Sequence, residues 1–331
     1  CLLDRAAAAA GHRVELTGAA GGLLLAGAGT LTLNGASANT FTGNVTIASG
    51  TQLNWNKAGA MGAGGTLVIN ATALLRRAPT LNGDIDGSAQ VLQPESITMN
   101  GGAMVSLDLL VPGTPTVRLN GNPTYAGTRD GTGSATPTGY QITLNGGSVL
   151  RYLVRRTDAI AMPTVSAPPA PTGTRNVDIN SASQSPGSFA TLRNLTLNGN
   201  VGAITVPAGT YGSFTANGGS SFVLGVAGAT EPAVYNLQNL TINGNAQLTV
   251  VGPVILTLAN GTSFNGNAGA AGHSDWLRLL VANGSVTLNG NVTVHAHIVA
   301  PNGTVTLNGT LNGTVVADRL TINGSGLLKQ P

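Results

Sequence analysis

Gly303-Thr304-Val305-Thr306-Leu307-Asn308-Gly309 carries the pattern on which the fold turns. Thr alternates with an aliphatic residue, so a strand over these positions has one apolar face and one face of hydroxyls. The Asn-Gly pair then turns the chain, because Gly takes positive φ without steric cost and Asn tolerates it better than most residues. The phrase apolar–Asn–Gly occurs twelve times, from Leu33-Asn34-Gly35 to Ile322-Asn323-Gly324. Asn82 to Asn100 is 18 residues, followed by 20 to Asn120 and 25 to Asn145. Asn243 to Asn265 is 22, followed by 24 to Asn289 and 19 to Asn308. The other large gaps, 48, 53 and 45, are near twice that step. A repeat of roughly 20 residues marks a solenoid.

Asn-Gly is also a hairpin signal, so an antiparallel sandwich competes. Hairpin sandwiches place turns every ~8–12 residues, and most gaps here are about twice that. The expected fold class is therefore all-β, a right-handed parallel β-helix (β-solenoid) with a short N-terminal arm or capping helix. Equivalent Asn side chains, stacked ~4.8 Å apart, can form a hydrogen-bonded ladder. Its expected members are Asn34, Asn82, Asn100, Asn120, Asn145, Asn198, Asn243, Asn265, Asn289, Asn308 and Asn323. The close pair Asn308 and Asn312 breaks the spacing and suggests a local hairpin or a short final coil.

The 331 residues include 48 Gly, yet only 8% are charged and 4% aromatic. A typical soluble domain is about 25% charged. With 42% hydrophobic residues the chain is not disordered by charge, and Gly follows no collagen period. A net charge of +3 gives no dense basic stripe, so no nucleic-acid partner is expected. No apolar run approaches ~20 residues, and no signal peptide stands at the start. A single cysteine forbids an internal disulfide. Cys1, in place of Met, suggests processing. It reads as a lipid-carrying residue, an intermolecular bridge or a mere boundary.

Residues 1–22 read as an N-terminal arm or cap, because the Ala run suits a short helix. Residues 23–158 read as a first β-solenoid segment with a loop excursion at 112–140. Residues 159–193, with Pro163, Pro168, Pro169, Pro171 and Pro186, read as a linker or strap. Residues 194–331 read as a second β-solenoid segment.

Residues 29–70, with Thr40-Phe41-Thr42-Gly43 and then Gly50-Thr51-Gln52-Leu53, resemble an autotransporter-associated β-strand repeat. Residues 195–328 resemble the Asn-Gly-rich domains of bacterial pilus-assembly-type and choice-of-anchor surface proteins. That likeness rests on Pro207-Ala208-Gly209-Thr210-Tyr211, Leu240-Thr241-Ile242-Asn243-Gly244-Asn245 and Val299-Ala300-Pro301-Asn302-Gly303. The style is similar to bactofilins, whose short β-helices polymerise. These resemblances imply an exported envelope protein, secreted or at the cell surface, and supply no catalytic residue.

Catalytic chemistry is not expected. Enzymes on this scaffold gather several acids on one face, whereas here the acids are scattered and only Asp84 and Asp86 share a strand face. His295 and His297 project from one strand face and could hold a metal if His273 or Asp275 joined them. They read more simply as ordinary outward histidines, and no cofactor is expected. Asn-X-Ser/Thr sequons, such as Asn44, Asn194 and Asn291, follow from the repeat itself. The Thr-X-Thr pairs raise ice binding, but uneven coil length disfavours it. The expected function is a structural subunit of an extracellular fibre or surface layer, whose partner is another copy of itself. The exposed first and last coils or strand exchange would join the copies. The alternative is a monomeric adhesin or glycan-binding stalk, lipid-anchored through Cys1.

Overall fold

The computed structural model describes residues 72–131, 136–157 and 162–330, and the backbone of seven strands between residues 6 and 69. It divides into two compact units, residues 1–71 and 72–331. The boundary falls at Ala71, and the Pro-rich strap lies inside the second unit.

In the first unit, Leu23 pairs with Val45, Val45 with Leu67, and Gly29 with Thr51, all parallel and all 22 residues apart. Where residues 1–22 are described they are strand, not a capping helix. Ala6–Ala8 is a strand antiparallel to Gly29–Leu33, and Arg13–Thr17 is antiparallel to Gly22–Ala26. Free backbone groups on neighbouring strands outcompete the modest helix preference of a short Ala run.

The second unit is all-β with parallel pairing throughout, so hairpin-linked sheets are excluded there. The chain returns beside itself after 15 to 26 residues, as in Leu307↔Ile322 and Phe214↔Leu240. Each return is a rung of up to three short strands, and each rung can be named by the Asn at its second corner. In the Asn265 rung the strands are Val254–Leu258, Thr262–Phe264 and Ala268–Gly269. In the Asn82 rung they are Ala73–Leu75, Thr80–Leu81 and Asp84–Asp86.

The alternation read from sequence decides what lies inside. The residue before each corner Asn faces the core. Ile179, Leu197, Ala216, Ile242, Phe264, Leu288, Leu307, Ile322, Leu81, Met99 and Leu144 form a buried column. Its twelfth member, Leu119, is 53% exposed. Near the other end the interior is filled by Tyr211, Phe214 and Phe222, with ring centroids 5.0 and 5.2 Å apart.

The rungs do not stack in chain order. The Asn323 rung pairs in parallel with the Asn82 rung: Val316 with Leu74, Ile322 with Leu81, and Leu328 with Ile85. The last rung was expected to lie open. It is covered by the first rung of residues 72–157, so the two stretches form one stack joined at a seam. Ion pairs cross the seam, as Arg151–Asp108 and Arg155–Asp130 cross between the Asn145 rung and its neighbours. Arg76 and Arg77 reach Asp318 at 3.3 and 3.6 Å, and Arg319 donates to the Ala78 carbonyl at 2.7 Å and lies 3.4 Å from Glu95.

A second departure lies at residues 112–140, expected as a loop excursion. They hold the strands Thr116–Asn120, Thr124–Tyr125 and Thr128–Asp130, which form the Asn120 rung at one extremity. After Met104–Leu110 the chain overshoots by one rung to build it. It then returns to place Gln141–Asn145 and Val149–Arg155 in the gap. The close pair Asn308 and Asn312 makes no hairpin: Asn312 pairs in parallel with His295 and with Lys329.

Candidate assembly surface: an asparagine ladder and two open rungs

Five corners, those of Asn100, Asn145, Asn217, Asn243 and Asn323, repeat one device. The Asn carbonyl accepts the N–H three residues on, from Ala103 to Asn100, Ala246 to Asn243 and Gly326 to Asn323 at 3.0, 3.1 and 2.8 Å. A Gly supplies the positive φ this tight turn needs, +59° at Gly244 and +50° at Gly324. With or without this turn, the corner carboxamides lie along the stack. Asn Nδ2 then donates to the Oδ1 of the preceding rung: Asn198 to Asn180 (3.0 Å), Asn217 to Asn198 (3.1 Å), Asn243 to Asn217 (2.9 Å) and Asn265 to Asn243 (3.3 Å). Asn289 donates to Asn265 (2.9 Å), Asn308 to Asn289 (3.5 Å) and Asn323 to Asn308 (3.0 Å). Beyond the seam Asn100 donates to Asn82, Asn145 to Asn100 (3.5 Å) and Asn120 to Asn145 (2.9 Å). All these bonds point the same way along the stack, even where chain order is scrambled.

Ten of the expected ladder residues stand in this column, and Asn34 and Cys1 lie outside the described residues. Two members were not expected from the sequence. Asn217 follows Ala216 rather than a large aliphatic residue, although it lies inside the 45-residue gap from Asn198 to Asn243. Asn180 is followed by Ser181, so no Asn-Gly marks it. Asn243→Ala, in mid-ladder, removes one donated and one accepted bond, each worth about 1 kcal/mol net. It should lower stability by about 1–2 kcal/mol in urea unfolding, whereas Asn180→Ala, at the ladder's start, removes a single accepted bond and should cost about half that.

Among the described residues, two rungs pair on one side only. At one extremity stands the Asn120 rung, with Leu119 exposed and Arg118 donating from Nε to Asn120 Oδ1 at 3.1 Å. At the other stands Arg175–Ile179, paired only with Leu192–Leu197. There the N–H of Asn180 donates to Gln184 Oε1 at 2.6 Å.

The other candidate residues do not gather. Asp84 and Asp86 lie on one strand, and Asp86 accepts from Ser106 Oγ at 2.9 Å. Among the described residues no three of His, Cys, Asp or Glu come close enough to hold a metal ion. His273 stacks on Trp276 with centroids 3.9 Å apart, and His297 Nδ1 lies 2.8 Å from Thr314 Oγ1. Burial holds both His295 and His297 below the ordinary histidine range. For His297 the nearby Asp275 opposes that shift and Arg278 adds to it. The unfolded chain therefore takes up these protons first as pH falls. Stability should be constant above about pH 6.5 and fall below it. A thermal melt series from pH 7.5 to 5 should show this slope, and His297→Gln should reduce it, leaving the His295 share.

A groove of about 510 Å³ runs over three successive corners, lined by carboxamides including Asn245, Gln247, Asn267 and Asn291 and by no aromatic ring. Among the described residues no helix is long and apolar enough to cross a membrane. No protein-family model, no curated protein and no solved structure matches the chain.

Proposed function

We propose that the chain is a structural subunit of an extracellular fibre or surface layer, and that its second unit is a right-handed parallel β-helix whose copies join end to end. The observation that carries this reading is the pair of one-sided rungs at opposite extremities of one stack. A parallel edge is a template for another strand unless something blocks it. Among the described residues, Arg118 stands at one of these edges and Gln184 with its turn 181–187 at the other. With 8% charged residues, little repulsion opposes self-association. The resemblance to bacterial surface repeats agrees with a location outside the cell.

The test is assembly of the purified full chain. Light scattering over a concentration series should show growth beyond the monomer, and negative-stain microscopy should show filaments. Twelve rungs at ~4.8 Å predict an axial repeat of about 58 Å. A chain that stays monomeric up to its solubility limit would remove this reading. The carboxamide groove would then favour the glycan-binding stalk, to be read by titration with oligosaccharides.

A further inference from the structure

Resting on the fibre reading, we propose that residues 117–120 of one copy pair, parallel and in register, with residues 177–180 of a second copy, closing an Arg118–Asp178 ion pair.

The register follows from the ladder. Each corner Asn gives its backbone N–H to the carbonyl just before the Asn of the preceding rung. Asn198 gives to Ile179 (2.8 Å), Asn217 to Leu197 (2.9 Å), Asn265 to Ile242 (2.9 Å) and Asn82 to Ile322 (2.9 Å). In stack order the first rung is that of Asn180 and the last is that of Asn120. Asn180 has no preceding rung, and Gln184 Oε1 takes the place of the missing carbonyl. The same pattern leaves the Leu119 carbonyl as the outward acceptor of the last rung. The side chains match as well. Nδ2 of Asn180 has no carboxamide before it, and Oδ1 of Asn120 has only the guanidinium of its own Arg118. A second copy's Asn180 on Asn120 continues the ladder with unchanged polarity.

That register fixes every other pair. The two segments read Val117-Arg118-Leu119-Asn120 and Val177-Asp178-Ile179-Asn180. Val meets Val, Leu119 meets Ile179 in the core column, and exposed Arg118 meets exposed Asp178. Leu119 is the one column member left in solvent, and a neighbouring rung covers it. Gln184 must give way, and Ile179, only 1% exposed in the single copy, must be uncovered for this contact, so residues 181–187 act as the guard of that edge. A slip of one residue would turn Leu119 outward and set Arg118 against an apolar side chain.

A solvent-edge ion pair adds little affinity, but like charges set directly opposite are costly. Both R118D and D178R alone should therefore raise the concentration needed for assembly about tenfold or more, with thermal melting unchanged, since both side chains are exposed. Mixing the two variants should restore assembly, because the R118D edge then meets the D178R edge and the two unaltered edges meet each other. The double variant should assemble alone. Gln184→Ala, which releases the Asn180 N–H, should assemble at a lower concentration than the parent. If the parent assembles and the single variants match it, or if the mixture assembles no better than its components, this joint is wrong while the fibre reading stands. A parent that never assembles overturns both.

Discussion

Deleting residues 165–170 should convert the protein from a self-contained subunit into one that shares its seam with a second copy. Thr157 is bonded to the Val111 carbonyl, and Thr174 to the Thr191 carbonyl. Ten rung steps separate these anchors, about 48 Å. The 17 residue-to-residue steps between them span this with little slack at about 3.1 Å each. Between Thr157 and Pro169, whose carbonyl accepts from Gln238 at 2.9 Å, 12 residues cover seven steps, about 34 Å. After the deletion only 11 residue-to-residue steps remain between the outer anchors, and these reach at most about 39 Å. The strap can then no longer join both stretches while the Asn323 rung covers the Asn82 rung of the same chain. The seam's pairs are equally available in trans, so exchange follows. Light scattering should give twice the parent mass or more at low concentration. A six-residue Gly/Ser insertion in place of the deletion should restore the parent mass. A deleted chain with parent mass and parent melting temperature would show that the strap is not under this constraint.

The second large effect belongs to Gly313. Gly313→Ala should lower stability by about 3 kcal/mol or more in urea unfolding, although it adds one methyl group. A Cβ at this position would lie 1.8 Å from the Ala296 carbonyl oxygen, and φ is +152°. Both are backbone constraints of stacked rungs, so no rotamer relieves them. The disturbance falls beside the seam and should loosen Leu311 and Leu328 first. Gly290→Ala is the control. Its φ of +57° carries a left-handed cost, but a Cβ there meets nothing within 4 Å. About 1 kcal/mol is expected for it. Equal losses in the two variants would mean that the close approach at Gly313 relaxes freely.

Gly313 also shows where sequence reading stops. Asn312-Gly313 has the same letters as a corner, yet it lies within the strand Thr310–Ile322, where Gly permits close approach of backbones. Asn323-Gly324 is a corner with the left-handed Gly that the turn demands. The two dipeptides differ only in what the neighbouring rung places beside them. Asn180 is the converse, a ladder member with no Asn-Gly to mark it. The seam was not legible either, because Arg76, Arg77 and Asp318 are some 240 residues apart and pair only once the stack is built.

By itself the sequence determined the local text of this protein. Alternating Thr and aliphatic residues set which face is buried, Asn-Gly sets the corner, and the step near twenty residues sets how often the chain returns. Each of these follows from side-chain period and backbone sterics within a few residues. Tertiary structure alone decided the order in which the returns stack: the Asn120 rung outside the Asn145 rung, and the Asn323 rung against the Asn82 rung. Parallel rungs with the same inward column and the same carboxamide corner are nearly interchangeable neighbours. The choice among them is made by the reach of the strap and by a few charges far apart in the chain.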